Sequence, residues 1–435
     1  MATAKFPSTI KPQGSSELKQ RLIFLVLALI AYRICSHVPV VGINMEVLKE
    51  SLSGTQGGIV GLMNLFSGGA LSRAAIVSLG ITPYISASIV IQLSAMVVPS
   101  LAALQKEGES GRRKITQYTR YGTLLLAVIQ SFFAANALER EGMASHPGAG
   151  FVLMTMLSLT TGTMFLMWLG EQITERGVGN GISMIVFAGI VSGLPSGIAT
   201  LLETVRNDGA YFTGFMIVVM AVLVLGFVVF VERAQRKIPI NYAKRQVGNK
   251  IYGGQSSFLP LKLNMAGVIP AIFASSILLF PATILSWMGT SVGPWVRDFS
   301  EQLLPGKPLY MTLFAVGLVF FCFFYTALTF NTRETSDNLK KQGAVVPGIR
   351  PGEQTTRYLD KIITRLTLVG ALYMLVVCMV PEFLMLSVGM KVAFGGTSIL
   401  IVVVVAMDFM MQVESFRISQ QYEPLMKKAN FKSSK

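Results

Sequence analysis

Stretches of about 20 residues with almost no charge recur along this chain, and nothing else in the sequence limits its fold so strongly. A helix of that length crosses about 30 Å of hydrocarbon and satisfies its own backbone on the way. Ten such stretches are read: Ile23–Val41, Ala75–Val98, Tyr121–Leu138, Phe151–Gly170, Ile182–Leu202, Thr213–Val231, Met265–Met288, Tyr310–Phe330, Leu366–Val380 and Thr397–Val413. Their apolar residues are continuous rather than alternating, which argues against a β-barrel. Composition agrees. Only 14% of the chain is charged, against about 25% in an ordinary soluble domain. The expected fold is an all-α membrane protein with ten transmembrane helices.

An even number of spans puts both termini on one side. That side carries 29 of the 37 lysines and arginines, the opposite side carries 7, and Arg33 lies inside the first span. Basic residues are retained on the cytoplasmic side, so both termini are predicted cytoplasmic. No cleavable leader is expected, because the first 21 residues are polar and basic and no small-residue cleavage site follows the first span.

Five spans precede residue 205 and five follow it. Pro83 interrupts the second span, and Pro270 and Pro281 fall in the seventh, the second of its half. Broken helices in matching positions suggest two repeated halves, 1–205 and 206–435, around a central path. Two loops on the basic side are long. Residues 232–264 carry alternating Ile238, Ile240 and Tyr242, then Gly248-Asn249 before Ile251-Tyr252, which predicts a projecting hairpin. Residues 331–365 contain "VPGIRPGEQ", whose two Pro-Gly turns bracket Ile349-Arg350 and present one arginine at a tip. Basic protrusions of this kind suit an anionic partner: ribosomal RNA, an acidic protein or lipid headgroups.

Enzyme chemistry finds no support. "GVGNG" at 177–181 lacks the strand–helix context of a nucleotide fingerprint, "GESGRRK" lacks P-loop spacing, and the two histidines, His37 and His146, are far apart. Cys35, Cys322 and Cys378 lie in apolar spans without paired spacing and read as small buried hydrophobes. Arg33 and Asp408 are the ionisable residues expected deep in the spans, and they are candidates to pair. A path so poor in charge is a weak relay for a coupled ion, which counts against a small-solute transporter. It suits a large, heterogeneous and often apolar cargo.

Eight segments carry a resemblance that covers essentially the whole chain in order: "NLFSGGALSRAAIVSLGITPYISASIVIQL", "KEGESGRRKITQYTRYGT", "GTMFLMWLGEQITERGVGNGIS", "NYAKRQ", "LNMAGVIPAIFASSILLFPA", "FFCFFYTALTFN", "GIRPGEQT" and "FGGTSILIVVVVAMDFM". They resemble the SecY/Sec61-alpha family, the channel-forming subunits of the Sec protein translocase, in its proteobacterial form. The resemblance implies two pseudo-symmetric five-helix halves around an hourglass pore, closed by a plug half-helix at about residues 59–71. Within it stand Asn64, Leu65, Phe66, Ser67, Gly68, Gly69, Ala70 and Leu71, with Gly68-Gly69 as a joint and Arg73 as the return toward the outer funnel. By matching positions, the apolar pore ring is Ile81, Ile85, Ile182, Val186, Ile272 and Ile401; Val186 replaces an expected isoleucine but remains β-branched. A lateral gate between the second and third spans and the seventh and eighth is matched by Ser86, Gln92, Gln130 and Asn264. Arg350, Arg245 and Lys250 match the docking loops for the ATPase SecA or a ribosome, although "VGNK" is less basic than the family pattern.

The implied activity is passage of unfolded signal-bearing preproteins across the bacterial inner membrane, with sideways release of transmembrane segments into lipid. The implied partners are SecE and SecG in a heterotrimer, SecA, the ribosome with its RNA, the preproteins, the SecDF-YajC complex, YidC and anionic phospholipids. No cofactor, metal or catalytic residue is expected.

Overall fold

The computed structural model describes residues 14–48, 64, 67–207, 211–242, 245–247, 250–252, 256–288, 298–299, 302–303, 306–388 and 396–433. The expected plug residues 59–63, Leu65 and Phe66 lie outside the described residues. A long helix stands at each of the ten predicted spans: Gly14–Cys35, Thr82–Val97, Glu109–Arg140, Ala149–Arg176, Gly181–Asn207, Tyr211–Arg233, Ile269–Met288, Pro308–Thr329, Glu353–Val388 and Gly396–Ser433. Seven of these are long and apolar enough to cross a membrane, or eight if the second is joined to the short helix that follows its bend. The seventh has a shorter apolar core, Ile269–Leu285. The first carries Glu17, Lys19 and Arg21 in its opening turns and Arg33 near its end.

Two of the boundaries that differ from the prediction share one reason. The first helix stops at Cys35 rather than Val41, and the second begins at Thr82 rather than Ala75. The stretches between them pair instead of continuing as helix. Val40 N donates to Ala74 O (2.8 Å), Ile76 N donates to Val38 O (2.9 Å), and Pro39 sits opposite Ala75 in an antiparallel bridge. Non-helical backbone at membrane depth is tolerated only where protein covers it. Here Ala75, Val77 and Leu79 are buried, and the fourth helix lies against the segment at Gly162, where an added Cβ would stand 2.0 Å from Ile76 O. The second helix then starts with Pro83 in its first turn, where a missing N–H costs nothing. It ends before Pro99, which holds Val98 extended (ψ 114°) and turns the chain by 103° into the short helix Pro99–Lys106.

The fourth and fifth helices meet through the turn at 177–181. Gly181 fits there because a Cβ would fall 1.9 Å from Gly170 O. Asn180 Oδ1 accepts from Ile182 N (3.1 Å) and Thr174 Oγ1 accepts from Gly181 N (2.9 Å), so the helix start is capped from both sides. This "GVGNG" is a packing turn.

The helices before and after residue 205 touch along two seams. The seventh helix packs against the second and third, and the tenth packs against the fifth and first. One apolar core runs between them, including Ile81, Ile89, Leu166, Ile190, Phe314, Met374 and Leu400. Cys322 and Cys378 are buried in it as predicted, while Cys35 is half-buried.

The two long loops are more ordered than the sequence suggested. Strand β1 (Gln235–Tyr242) pairs antiparallel with β4 (Ser256–Lys262), and β2 (Arg245–Val247) pairs with β3 (Lys250–Tyr252) on either side of the predicted Gly248-Asn249 turn, which lies outside the described residues. The second loop adds its own strand, β5 (Ala344–Val345), to the other edge of β1, giving the order β4-β1-β5. Ile238 and Ile240 point inward from β1, as their alternation required; Tyr242 does not. Residues 332–341, expected as loop, form a helix capped by Asn331, whose Oδ1 accepts from Glu334 N (3.2 Å). The ninth helix starts at Glu353, well before the predicted Leu366. Its 36 residues span about 54 Å at 1.5 Å per residue, more than a bilayer core needs. The surplus lies on the sheet side, where Leu359 and Ile363 pack on Ile238, Leu261 and Val346.

Candidate functional site

At the centre of the helices the path is closed. A cavity of about 20 Å³ is lined by Tyr32, Ser67, Leu79, Gly80, Ile81, Thr82, Ile85, Leu166, Ile185, Val186, Ile272, Ser276 and Leu279. That volume holds about one water molecule, so no ion with its hydration shell fits. Its wall is contributed by the first, second, fourth, fifth and seventh helices and by the turn before the second.

Four of the six expected ring residues, Ile81, Ile85, Val186 and Ile272, line this cavity. The other two are placed elsewhere. Ile182 directs its side chain at the fourth helix, where a Cβ on Gly170 would stand 2.6 Å from Ile182 Cδ1. Ile401 is fully buried in the core of the tenth helix and does not reach the cavity. Ile185, Leu79 and Leu279 line the cavity and were not expected from the sequence. Ile182 and Val186, chosen by matching positions, are spaced i, i+4 on the fifth helix, yet only Val186 lines the cavity.

The expected plug segment meets the cavity at Ser67. Its described residues close on themselves. Gly69 N donates to Asn64 O (2.8 Å), Ser72 N to Asn64 Oδ1 (3.0 Å) and Ala75 N to Ala70 O (2.9 Å), while Ser78 Oγ donates to Ala70 O (3.2 Å). Leu71–Arg73 is a single 3-10 turn, followed by Ala74 in the left-handed region (φ 42°). Gly68 and Gly69 both have positive φ, 67° and 80°. At Gly68 a Cβ would lie 2.8 Å from Tyr32 Oη and 3.0 Å from both Gly189 Cα and Ser192 Oγ. Glycine is therefore required there for close approach as well as for conformation. Arg73 folds back over Gly69, and its buried Nη1 has no partner among the described residues.

Arg33 does not pair with Asp408. Arg33 Nη1 donates to Gly68 O (3.1 Å), and Asp408 Oδ1 instead meets Lys262 Nζ at 3.3 Å. The sequence paired the two by rarity, but the fold supplies each with a nearer partner.

Of the expected gate residues, Ser86 on the second helix and Gln130 on the third are buried, and Ser86 Oγ and Gln130 Oε1 have no hydrogen-bond partner among the described residues. Gln92 Nε2 donates to Ser88 Oγ of its own helix (2.9 Å). Asn264 is placed differently. Its Nδ2 donates to Glu232 Oε1 (2.6 Å), at the end of the sixth helix, and to Gly267 O (3.2 Å). Gly370 of the ninth helix also approaches it. Asn264 thus joins the sixth, seventh and ninth helices rather than the seam with the second and third.

Glu232 is 7% exposed and was not predicted as a deep charge, because it sits at the span's end next to Arg233 and reads as a loop residue. Together with Lys262, Asn264, Asp408, Asn180 and Gln412 it lines a second cavity of about 240 Å³ where β4 runs into the seventh helix.

On the sheet side, Arg350 is exposed on the loop between the turn at Val346–Ile349 and the ninth helix. Its carbonyl accepts from Thr355 Oγ1 (2.9 Å), and Ser336 Oγ donates to Gly352 O (2.8 Å), so the turn is tied to helices on both sides. Arg245 and Lys250 lie on the paired strands β2 and β3, two residues out of direct register with each other, with Arg245 opposite Tyr252 and Lys250 opposite Val247.

Comparison with known proteins bears on this arrangement. A family model described as SecY matches residues 75–410. The protein translocase subunit SecY of Escherichia coli strain K12 is 59% identical over 425 residues, covering 96% of each chain. That of Vibrio cholerae is 57% identical over 426 residues, again covering 96% of each. Among solved structures, one described as a protein-conducting channel superposes with a TM-score of 0.67 at 16% identity, over 95% of this chain and 96% of that one. A second, described by the role of the SecY plug domain in the closed state and the membrane seal, gives 0.66 at 17% over the same shares. Sec61 in the canine ribosome–channel complex gives 0.61 at 16%, also over 95% and 96%. At these identities the structural likenesses establish the fold.

Proposed function

The chain belongs to the SecY family, and from that premise we propose that it is the channel subunit through which unfolded preproteins cross the bacterial inner membrane. Its two halves, 1–205 and 206–435, enclose the path, and both termini face the cytoplasm. Signal sequences and transmembrane segments leave sideways where the seventh helix meets the second and third. The observation that carries this reading is the central closure. Apolar side chains from both sides of residue 205 leave about 20 Å³ between them.

An apolar constriction excludes ions by dewetting and offers a passing chain no fixed hydrogen bonds. It therefore seals without selecting a sequence. Ile81, Ile85, Val186 and Ile272 form that gasket, with Ser67 and the segment to Leu71 as the plug. The seam is weakly held on its polar side. Ser86 Oγ and Gln130 Oε1 have no partner among the described residues, and interhelical polar contacts in membranes average only about 0.6 kcal/mol. An entering apolar helix need offset little to part it.

Energy comes from outside the chain: SecA with ATP, or elongation on a ribosome. The joined loops, with Arg350, Arg245 and Lys250, form the dock for both, and SecE and SecG complete the heterotrimer. SecDF-YajC, YidC and anionic phospholipids are further partners. The test is reconstitution of the chain with SecE and SecG in liposomes, with SecA, ATP and a signal-bearing precursor, scored by protease protection. Protection that needs ATP and an intact signal is the expected result. No protection, with SecA active on a control channel, would overturn the proposal.

A further inference from the structure

Arg33 is a half-buried charge in the last turn of the first helix, and among the described residues it makes no ion pair. A guanidinium among apolar side chains needs acceptors, since leaving it unpaired there is costly. The acceptor it finds is a main-chain carbonyl 35 residues away, Gly68 O at 3.1 Å. The neighbouring residue does the same. Tyr32 Oη donates to Ser67 O at 3.1 Å, and Tyr32 is 2% exposed on the cavity wall. From the other side Ser192 Oγ, held by Gly189 O (2.7 Å), closes on Gly68 O at 3.5 Å. Gly68 therefore sits in a slot between the first and fifth helices with no room for a side chain.

We infer that Tyr32 and Arg33 are the latch of the channel, positioning residues that hold residues 67–68 over the constriction by their backbone carbonyls. The inference rests on the plug reading. It adds what keeps the plug in place and why this span carries a charge. Both acceptors are main-chain oxygens, so the latch is indifferent to the plug's side chains, except that Gly68 must stay glycine. When the segment leaves, Arg33 loses its acceptor, and the closed state is favoured by that difference. Removing a charge-assisted hydrogen bond changes an equilibrium by about tenfold or more, and a neutral one by a few-fold.

The test uses the full chain assembled with its partner subunits in liposomes. Cys35, Cys322 and Cys378 are replaced by alanine, and Ser67→Cys reports plug exposure to a membrane-impermeant maleimide. Arg33→Leu is expected to speed labelling by about tenfold or more and to raise ion leakage in parallel. Arg33→Gln, a neutral donor, should fall between Leu and the parent, and Tyr32→Phe should speed labelling a few-fold. A merely structural role for Arg33 would lower assembly without changing the labelling rate of assembled channels. If assembled Arg33→Leu labels at the parent rate, the latch is overturned. Should that variant fail to assemble, parent rates for both Arg33→Gln and Tyr32→Phe overturn it equally. Deletion of residues 64–71 separates the two ideas. A tight deletion membrane refutes the plug, and the latch with it. A leaking deletion beside tight latch variants refutes the latch alone.

Discussion

The central constriction and the joined loops on the basic side are both assembled from segments far apart in the chain, yet they are held in opposite ways. The constriction is closed chiefly by branched apolar side chains meeting across a cavity of about 20 Å³. The loops are closed by strand pairing in a fixed register, Gln235 opposite Lys262 and Asn241 opposite Val345, over a small core at Ile238, Leu261, Val346, Leu359 and Ile363. A surface that must dock a partner repeatedly needs a fixed shape, and hydrogen-bonded register supplies one. A seal that must part for any chain is better made without register, because apolar contact is non-directional and re-forms wherever surfaces meet.

Experiments can break this contrast, beginning with the largest expected effect. Reversing charge at the exposed Arg350 (Arg350→Glu) should abolish SecA-driven export. Protein level and membrane insertion should stay as in the parent, because the side chain has no packing role; unchanged export removes Arg350 from the dock. Glycine at Ile81, Ile85 and Ile272 together, combined with deletion of residues 64–71, should turn tight liposomes into freely ion-permeable ones, read as collapse of an imposed membrane potential. A membrane that stays tight contradicts the gasket.

Leu359→Ala should cost the loop unit about 2–5 kcal/mol, the usual range for a fully buried leucine. It should be seen as earlier proteolytic cleavage within 232–264 and 331–365, with ion tightness unchanged. Leakage in that variant would show that loop unit and constriction are not separate. The smallest effect is expected at the pair Lys262–Asp408. With side chains 41% and 48% exposed, it contributes no more than about 1 kcal/mol, so Asp408→Asn should leave thermal stability and export near the parent. A large loss there would mean that the link between β4 and the tenth helix carries load in the working channel.

The two regions also differ in how far the sequence disclosed them. The ten spans and the basic asymmetry were legible because membrane insertion is governed by local apolarity and flanking charge. The hairpin around 248–249 was legible because β pairing leaves alternation and a turn. The edge strand Ala344–Val345 was not: two residues carry no period, and their partner is about a hundred positions away. Residues 75–81 were misread as helix because an apolar run looks the same whether it is wound or extended and buried. Ile185 lines the cavity and Ile182 does not, a difference hidden from the sequence because both are apolar residues on one helix.

What the sequence determined by itself is therefore the class of the molecule, since each span had to satisfy the bilayer independently of the others. It also marked two helix starts, at Pro83 and Pro99, each in a first turn. What the tertiary structure alone decided is every pairing across the path. Arg33 turns to Gly68 and not to Asp408, Asn264 to Glu232 and not to the second helix, and four of six ring candidates converge. Such choices depend on distances between elements that no local pattern encodes, and in a low-dielectric interior the nearest satisfying acceptor takes the donor.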